Sequence, residues 1–548
     1  MSNAPVPPPS SPTPANPPPS NSSGSDGENA PWRGWALFLV VLVVVFGLGL
    51  LVASIQERRI EAKPAAPAVA LTTVDADNAK WRQGHEREYD SWKATSDEGK
   101  TPTTTRYGGS FKRDLLEETP DNVVLFAGYP FARDYKQARG HMHAVADVRE
   151  SLRTKDPKDD TKWNEKFPGT CWTCKSPDVP RLMEQTSPEK FYETRMFKHD
   201  SEIKNPIGCL DCHDPATMAL RISRPALREA YTAMGKDIDK ASHQEMRSLV
   251  CAQCHVEYYF AKQPKDYLVF PWKNGLKIED MEKTYDENGH VDWTHLVSRT
   301  KMIKMQHPDF EVYSQGIHAY RNVSCADCHM PYKTEGGRKF TDHHIQSPLT
   351  NIANSCAVCH RWSEDDIRNR VWSIQDKVNE GRHRAEAALR FAHFDTAAAM
   401  QIGASDDDLK PVRDLIRRAQ MRWDYIAANN GVGFHAPQES QRILAAANDL
   451  AQQARLEAAR VLARKGFTGA VVYPDVSTKQ KAQAVNKLFA AGNPPRLLPE
   501  GVATVPWPAL PTPPAAPAPA ATAAPAAAPA PAVTPAPTTP ATETPKPL

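Results

Sequence analysis

Five cysteine pairs carry the chemistry of this sequence: Cys171-Trp-Thr-Cys174-Lys175, Cys209-Leu-Asp-Cys212-His213, Cys251-Ala-Gln-Cys254-His255, Cys325-Ala-Asp-Cys328-His329 and Cys356-Ala-Val-Cys359-His360. They use all ten cysteines, leaving none for a disulfide framework. A Cys-x-x-Cys pair alone fits zinc, a redox dithiol or a haem attachment site. The residue that follows it decides. Histidine makes up roughly 3% of the chain, so four His-terminated pairs out of five would arise by chance on the order of once in 10⁵. In Cys-x-x-Cys-His the two sulfurs hold the porphyrin and the next imidazole reaches its iron. Structural zinc would instead need paired pairs at short spacing, and none occurs.

The first pair ends in Lys175. Loss of a haem from a degenerate site is one reading. The other is that Lys175 gives its neutral amine to iron, which requires burial and the metal's charge to drive off a proton normally held up to about pH 10.4. An electron carrier gains nothing by changing one axial ligand in five, whereas a catalytic iron needs an open face for substrate. Eighteen histidines less the four proximal ones leaves fourteen, enough to give each of the other four haems a second imidazole.

The elements that position these groups are helical and few. All five motifs fall within residues 171–360, too little chain to build a separate apolar core around each, so the macrocycles must form most of the interior and lie near one another. From 363 to 500 the pattern turns helical. Ser363 before Glu364-Asp365-Asp366 reads as an N-cap, and Ile367, Val371, Ile374 and Val378 follow at helical spacing. Leu409, Val412, Leu415 and Ile416 open a second amphipathic stretch ending near Asn429-Asn430-Gly431, and Leu444–Leu462 forms a third. The expected fold is mainly α: a compact multihaem cytochrome with five covalent haems as its core and long C-terminal helices.

At this point the sequence resembles the pentahaem, ammonia-forming cytochrome c nitrite reductases. The resemblance rests on Cys-Trp-Thr-Cys-Lys-Ser-Pro-Asp (171–178), Val256-Glu257-Tyr258-Tyr259-Phe260, Lys304-Met305-Gln306-His307-Pro308, Arg139-Gly140-His141 and Leu152-Arg153-Thr154. Gly316-Ile317-His318, Thr341-Asp342-His343, His435-Ala436-Pro437 and Pro474-Asp475-Val476-Ser477-Thr478-Lys479 extend it over roughly residues 78–495. It implies that His141 serves the third haem, His343 the second, His435 the fourth and His318 the fifth. Arg153, Tyr258 and His307 would line the open face at the Lys175 haem. One calcium ion per subunit would take Glu257, the Gln306 side chain and the carbonyls of Tyr258 and Lys304, an all-oxygen set that suits a hard cation. Arg153 and His307 would bring positive charge and hydrogen bonds to a bound anion, and Tyr258 a proton or hydrogen bond. The implied activity is six-electron reduction of nitrite to ammonium. A multihaem electron conduit, and reduction of hydroxylamine, nitric oxide or sulfite, are the alternatives. The implied partners are a second copy of the chain and a membrane quinol-oxidising multihaem cytochrome as electron donor.

Other histidines (His85, His143, His199, His243, His290, His295, His344, His383 and His393) match no ligand position. A formal net charge of +2 gives no footprint for nucleic acid. The domain reading is a Pro/Ser-rich disordered tail over 1–30, a hydrophobic anchor or signal segment over 31–56 and a linker over 57–77. The pentahaem domain follows over 78–500, and a Pro/Ala-rich disordered tail over 501–548. Trp35 to Ile55 is uncharged and, at about 1.5 Å per residue, spans a bilayer's hydrocarbon core. It reads as an N-terminal transmembrane helix; the flanking Arg33 against Arg58, Arg59 and Lys63 would put the body inside, but covalent haem attachment in the family the sequence resembles implies the periplasmic side. The appended segment and tails depart from the family, whose catalytic subunit is typically exported and released.

Overall fold

The computed structural model describes residues 31–61, 70–96, 102–109 and 111–509; the expected tails at 1–30 and 510–548, and 62–69 of the linker, lie outside these. The first element is one helix, Pro31–Glu61, which runs past the expected end at 56. Its stretch Gly34–Glu57 is long and apolar enough to cross a membrane. Leu37, Val45 and Phe46 on it are fully solvent-facing rather than packed. A signal sequence meets the same description.

The body is mainly α, with 54% of the described residues helical. The haem-motif half is built of short pieces. Its longest helices, His243–Ala252 and Ile278–Glu287, have ten residues each. Among the described residues the strands form four two-stranded antiparallel hairpins, of which Tyr259–Ala261 and Tyr267–Val269 pair with Tyr259 opposite Val269. The C-terminal half holds the long helices Glu364–Gln401, Asp406–Ala427 and Pro437–Arg464, followed by Lys479–Ala490. Ser363 caps the first as expected, its hydroxyl accepting the Asp366 N–H at 3.1 Å. Ser405 and Asp408 close a reciprocal capping box on the second. The apolar core follows these helices, with Leu389, Phe394, Leu409, Ile416, Leu444 and Val461 all buried.

Both ends of the body differ from the expected boundaries. Leu71 and Ala76 pack with Trp81 and Leu210, so the linker joins the fold before residue 78. At the other end the chain stays docked beyond 500. The Val505 N–H donates to the Gln401 carbonyl at 2.8 Å. Trp507 meets Phe489 edge-on at 5.4 Å, and the Arg299 guanidinium lies 5.5 Å from the Trp507 ring centre. One aromatic side chain anchors a stretch whose Pro/Ala composition otherwise reads as unstructured.

Two histidines that match no ligand position stitch the halves together. His295 and His393 stack at 3.6 Å, both fully buried. The His295 Nε2–H donates to the Val124 carbonyl (2.8 Å), leaving Nδ1 to accept the Val297 and Ser298 N–H groups. The His393 Nε2–H donates to Gln420 Oε1 (2.8 Å), whose amide donates to the Leu125 carbonyl, and Nδ1 accepts from the Ser298 hydroxyl. Every ring nitrogen is committed as in a neutral imidazole. Burial pushes His393 down to about 4, and burial together with the facing His393 lowers His295 further.

A native pKa below the unfolded value means that the unfolded chain binds more protons as pH falls, so stability is lost on acidification. His393 alone, shifted from 6.5 to about 4, is expected to remove on the order of 3 kcal/mol between about pH 6.5 and pH 4 and nothing further below. Denaturant unfolding across that window is the measurement. The His393→Gln protein, which cannot take up the proton, should show a shallower slope.

Candidate functional site

The motif half encloses one continuous cavity of ≈ 4070 Å³. Ordinary ligand pockets reach about 300–1,000 Å³, so this space is several times larger than one ligand needs. All ten cysteines line it, as do Lys175, His213, His255, His329 and His360 and the four expected distal ligands His141, His318, His343 and His435. Arg153, Tyr258, Gln306 and His307 also line it. Glu257 and Lys304 do not; they are packed behind its wall.

Each motif is a tight turn at or beside a short helix, which puts both sulfurs and the following side chain on one side. The backbone N–H of His213, His255 and His360 donates to the carbonyl four residues back, that of the first cysteine, at 2.9, 3.0 and 2.9 Å. In the first motif the Lys175 N–H instead donates to Trp172, three residues back, at 3.0 Å. The second motif is braced by Asn78, whose Oδ1 accepts the Cys209 N–H at 2.9 Å. The fourth carries a capping box between Ser324 and Asp327.

Three expected axial pairs face each other across the cavity. Ring centres of His213 and His343 are 6.2 Å apart, those of His329 and His435 6.3 Å, and those of His318 and His360 6.3 Å. Two imidazoles bonded at about 2 Å to opposite sides of one metal have ring centres roughly 6 Å apart. For the fourth pair, His141 lies near enough to His255 and Lys175 to feel both, though burial is the larger cause that lowers it to about 4. His255 also lies 6.4 Å from His307, so spacing alone does not assign its partner.

Hydrogen bonds sharpen the fit. The Nδ1–H of His213, His329 and His343 donates to the carbonyls of Met218 (2.9 Å), Gln346 (2.8 Å) and Thr341 (2.7 Å). His255 Nδ1 meets the Asp309 carboxylate at 3.2 Å, and Asp309 is itself held by the Asn430 backbone and side chain. With Nδ1 committed, Nε2 is the free lone pair, the arrangement that orients metal-bound imidazoles. Burial, then the facing His343 and His435, lower His213 and His329 to about 4, so each is neutral as ligation requires. Burial also pushes the thiols of Cys171, Cys209, Cys212 and Cys328 up to about 12, while contacts with Cys254 and Cys251 lower Cys174 and Cys325. The imidazole and thiol donor set fits covalent haem. Among the described residues, no three of His, Cys, Asp and Glu converge as a separate metal site.

The sulfurs also order the motifs in space. Cys174 of the first contacts Cys254 of the third, and Cys251 of the third contacts Cys325 of the fourth. Cys212 of the second lies near Cys254, and Cys328 of the fourth near Cys356 of the fifth. The resulting line runs first, third, fourth, fifth, with the second beside the third.

Around Lys175 the expected residues converge. Cys171 feels both Lys175 and Arg153, and His307 feels Lys175. The Arg153 guanidinium stacks 4.3 Å above the Phe131 ring and its Nε donates to Ser151 Oγ at 3.2 Å. The buried Asp134 carboxylate accepts from the Ser151 hydroxyl and the Leu152 N–H, fixing that turn. Tyr258 meets His307 edge-on at 5.6 Å and stacks on Phe260. Burial first, and then Lys175, lower His307 to about 3.

Behind the wall, Glu257 is 0% exposed. Its Oε1 accepts from the Tyr285 hydroxyl and its Oε2 from the Gln306 N–H, both at 2.6 Å, and burial raises its pKa well above the usual range. The neighbouring Glu311 accepts the Glu257 N–H and the Trp272 indole N–H at 2.8 Å each, and burial pushes it up to about 8. The nearby cation, Lys304, is committed elsewhere. Its Nζ donates to Asp424 at 2.9 Å, with both side chains 1% exposed, and Asp424 also accepts the Met305 N–H. The Gln306 side-chain amide lies 3.3 Å from the Lys304 carbonyl. A buried carboxylate lacking its own cation, beside an amide and a backbone oxygen, fits a hard divalent ion. Asp309, Glu311 and Asp424 had no mark in the sequence; Asp309 alone has a weak signal, two residues after His307.

Covalent haem motifs lining a shared cavity inside a mainly α shell define a c-type cytochrome. The chain belongs to the cytochrome c552 family, whose model matches residues 77–493. A cytochrome c-552 of Bacteroides fragilis is 52% identical over 454 residues, covering 82% of this chain and 91% of its own. One from Desulfotalea psychrophila is 42% identical over 468 residues, covering 83% and 89%. Among solved structures, the catalytic subunit of cytochrome c nitrite reductase from Desulfovibrio desulfuricans, described for its two calcium sites, matches with a TM-score of 0.68. It is 30% identical and covers 75% of this chain and 91% of its own.

Removing one partner of the Lys304–Asp424 pair would strand a buried charge, at a cost of about 3–5 kcal/mol. Asp424→Asn is therefore expected to lower the denaturant midpoint by a corresponding amount, with the slope unchanged.

Proposed function

We propose that this protein reduces nitrite to ammonium, using six electrons, at a haem held by Cys171, Cys174 and Lys175. Four bis-histidine haems on the other motifs would feed it. The observation that carries the reading is the convergence of Arg153, Tyr258 and His307 on the one motif that ends in lysine, beside the order of motifs that leads away from it. The likeness to the Desulfovibrio nitrite reductase supports the same conclusion.

When bound, a lysine-ligated haem supplies a Lewis-acidic iron with one exchangeable position and a route for electrons. The chain's own residues do the rest. Arg153, braced by Ser151 and the Phe131 face, holds a cation where an anion must dock and lose oxygen. The neutral His307 offers a hydrogen bond there, and Tyr258 a phenolic proton with its hydroxyl kept protonated by burial. Glu257, Gln306 and the Tyr258 and Lys304 carbonyls would hold one calcium, tying the Tyr258 and His307 segments into a single rigid wall. We place the body on the periplasmic side of a membrane, with the Pro31–Glu61 helix as anchor. A quinol-oxidising multihaem cytochrome is the electron donor in this scheme, and a second copy packs on the long C-terminal helices.

Purified holo-protein with reduced viologen and nitrite should release ammonium, consuming six viologen radicals for each nitrite. Viologen oxidation without ammonium, with every haem six-coordinate and low-spin, would establish the electron conduit instead. Arg153→Gln is expected to lower kcat/KM for nitrite about 10²–10³-fold while haem content stays constant. A calcium chelator should slow turnover, and restored calcium, but not magnesium, should recover it.

A further inference from the structure

Arg224 is not part of any motif, yet its buried guanidinium touches the first two and its backbone N–H the third. Its side chain is 2% exposed. Nε donates to the Thr173 carbonyl at 3.0 Å, and Nη2 donates to the Ser176 carbonyl at 2.7 Å. Nη2 also pairs with the Asp211 carboxylate at 2.5 Å, and Nη1 donates to the Ser223 hydroxyl at 2.7 Å. Three hydrogen bonds and one ion pair thus engage a planar fork that a flexible ammonium cannot reproduce.

The partners share one register. Thr173, Asp211 and Gln253 each stand immediately before the second cysteine of the first, second and third motif. Gln253 completes the hub: its Oε1 accepts the Ser223 N–H (2.6 Å) and the Arg224 N–H (3.1 Å), and its Nε2 donates to the Asp211 carbonyl (3.3 Å). Asp211 is further held by the Gly208 N–H at 2.8 Å. Thr173 and Ser176 lie on either side of the Cys174-Lys175 pair, so Arg224 grips the backbone on both sides of Lys175. Asp178 secures the far side of that turn, accepting from the Ser176 hydroxyl and from the Lys204 and Asn205 N–H groups.

We propose that Arg224 is a positioning residue for the lysine ligand, clamping the Thr173–Ser176 turn to the second and third haem motifs through Asp211 and Gln253. The inference rests on Lys175 being an iron ligand. It adds that the ligand's reach is set by a guanidinium fork on its two flanking carbonyls, so that the first haem is held in register with the second and third. A lysine side chain has four rotatable bonds against two in histidine, so a Lys ligand depends more on a fixed backbone than the four imidazoles do.

The test uses the full-length holo-protein with Arg224→Gln. Haems are counted by intact mass, and each haem is followed by electron paramagnetic resonance during a redox titration. The expected result is an unchanged haem count, a displaced high-spin signal and midpoint potential for the first haem alone, and unchanged low-spin signals. The expected kcat for nitrite falls about 10–100-fold while KM moves little. Arg221→Gln is the control, since Arg221 donates only to the Leu210 carbonyl of the second motif; it should leave the first haem's signals in place. A first-haem signal and potential identical to the parent protein, or equal shifts at all haems, would overturn the proposal. Should Arg224→Gln not accumulate, Arg224→Lys is read by the same criteria, because it keeps the cation facing Asp211 and loses the fork. A parent protein without any high-spin, exchangeable haem would instead defeat the lysine-ligand reading itself, before any variant is compared.

Discussion

The whole structure answers to one constraint: the motif half must surround a space of ≈ 4070 Å³ that its own side chains do not fill. A chain normally gains most of its stability by closing apolar side chains on one another. Here residues 171–360 arrange short helices and turns as a wall, and apolar side chains on its far side, such as Trp172, Leu227 and Met281, join those of the long C-terminal helices in one core. The wall is then fastened to that core by buried polar contacts. Asp424, on the helix Asp406–Ala427, receives both Lys304 and the Met305 N–H, so the segment carrying Gln306 and His307 is set by a helix more than a hundred residues away. Arg422 on the same helix meets Glu282 through two hydrogen bonds, at 2.9 and 2.7 Å, and draws in the helix Ile278–Glu287.

Burial around such a space disfavours charge, so most of its imidazoles are driven down and several of its thiols up. His255 and Asp309 run the other way, because each is held in its charged form by the other. Neutral imidazoles are what a metal accepts, and neutral thiols are at rest until attachment consumes them. Against this background the exceptions stand out. Arg153 keeps its charge beside an aromatic face, and Arg224 keeps its charge against Asp211. Both lie in the region of the lysine-terminated motif.

Much of this was legible in the sequence, for definite reasons. Covalent attachment demands a fixed local pattern, so the five motifs are readable without any structure. Ser363 and the amphipathic stretches from Leu409 and Leu444 follow from capping and periodicity, and the helices observed there agree. The helix Glu364–Gln401 was readable only in its first half. From Ala385 to Gln401 nearly every side chain is buried, so no polar face remains to set a period. The docking of Trp507 was hidden by the Pro/Ala composition around it. Asp309, Glu311 and Asp424 were illegible because what they do depends on partners far away in the chain, and a carboxylate carries no local sign that its hydrogen bond lies 119 residues off.

The local backbone also explains how one motif of five can end in a different residue without disturbing the fold. In three of the His-terminated motifs the following N–H reaches back four residues, closing an α-type turn that delivers a short, stiff imidazole. At Lys175 it reaches back three, to Trp172, and the turn is tighter. The side chain that leaves this turn is longer, so a change in where the backbone starts is met by a change in reach. Trp172 is itself fully buried, with its indole N–H donating to the Met196 carbonyl at 3.0 Å, so the accepting carbonyl sits on an immobile residue. The lysine is thus matched to its own turn. Replacing it with histidine would shorten the side chain while leaving the backbone shaped for the longer one, which is why the two features are best understood as a single device.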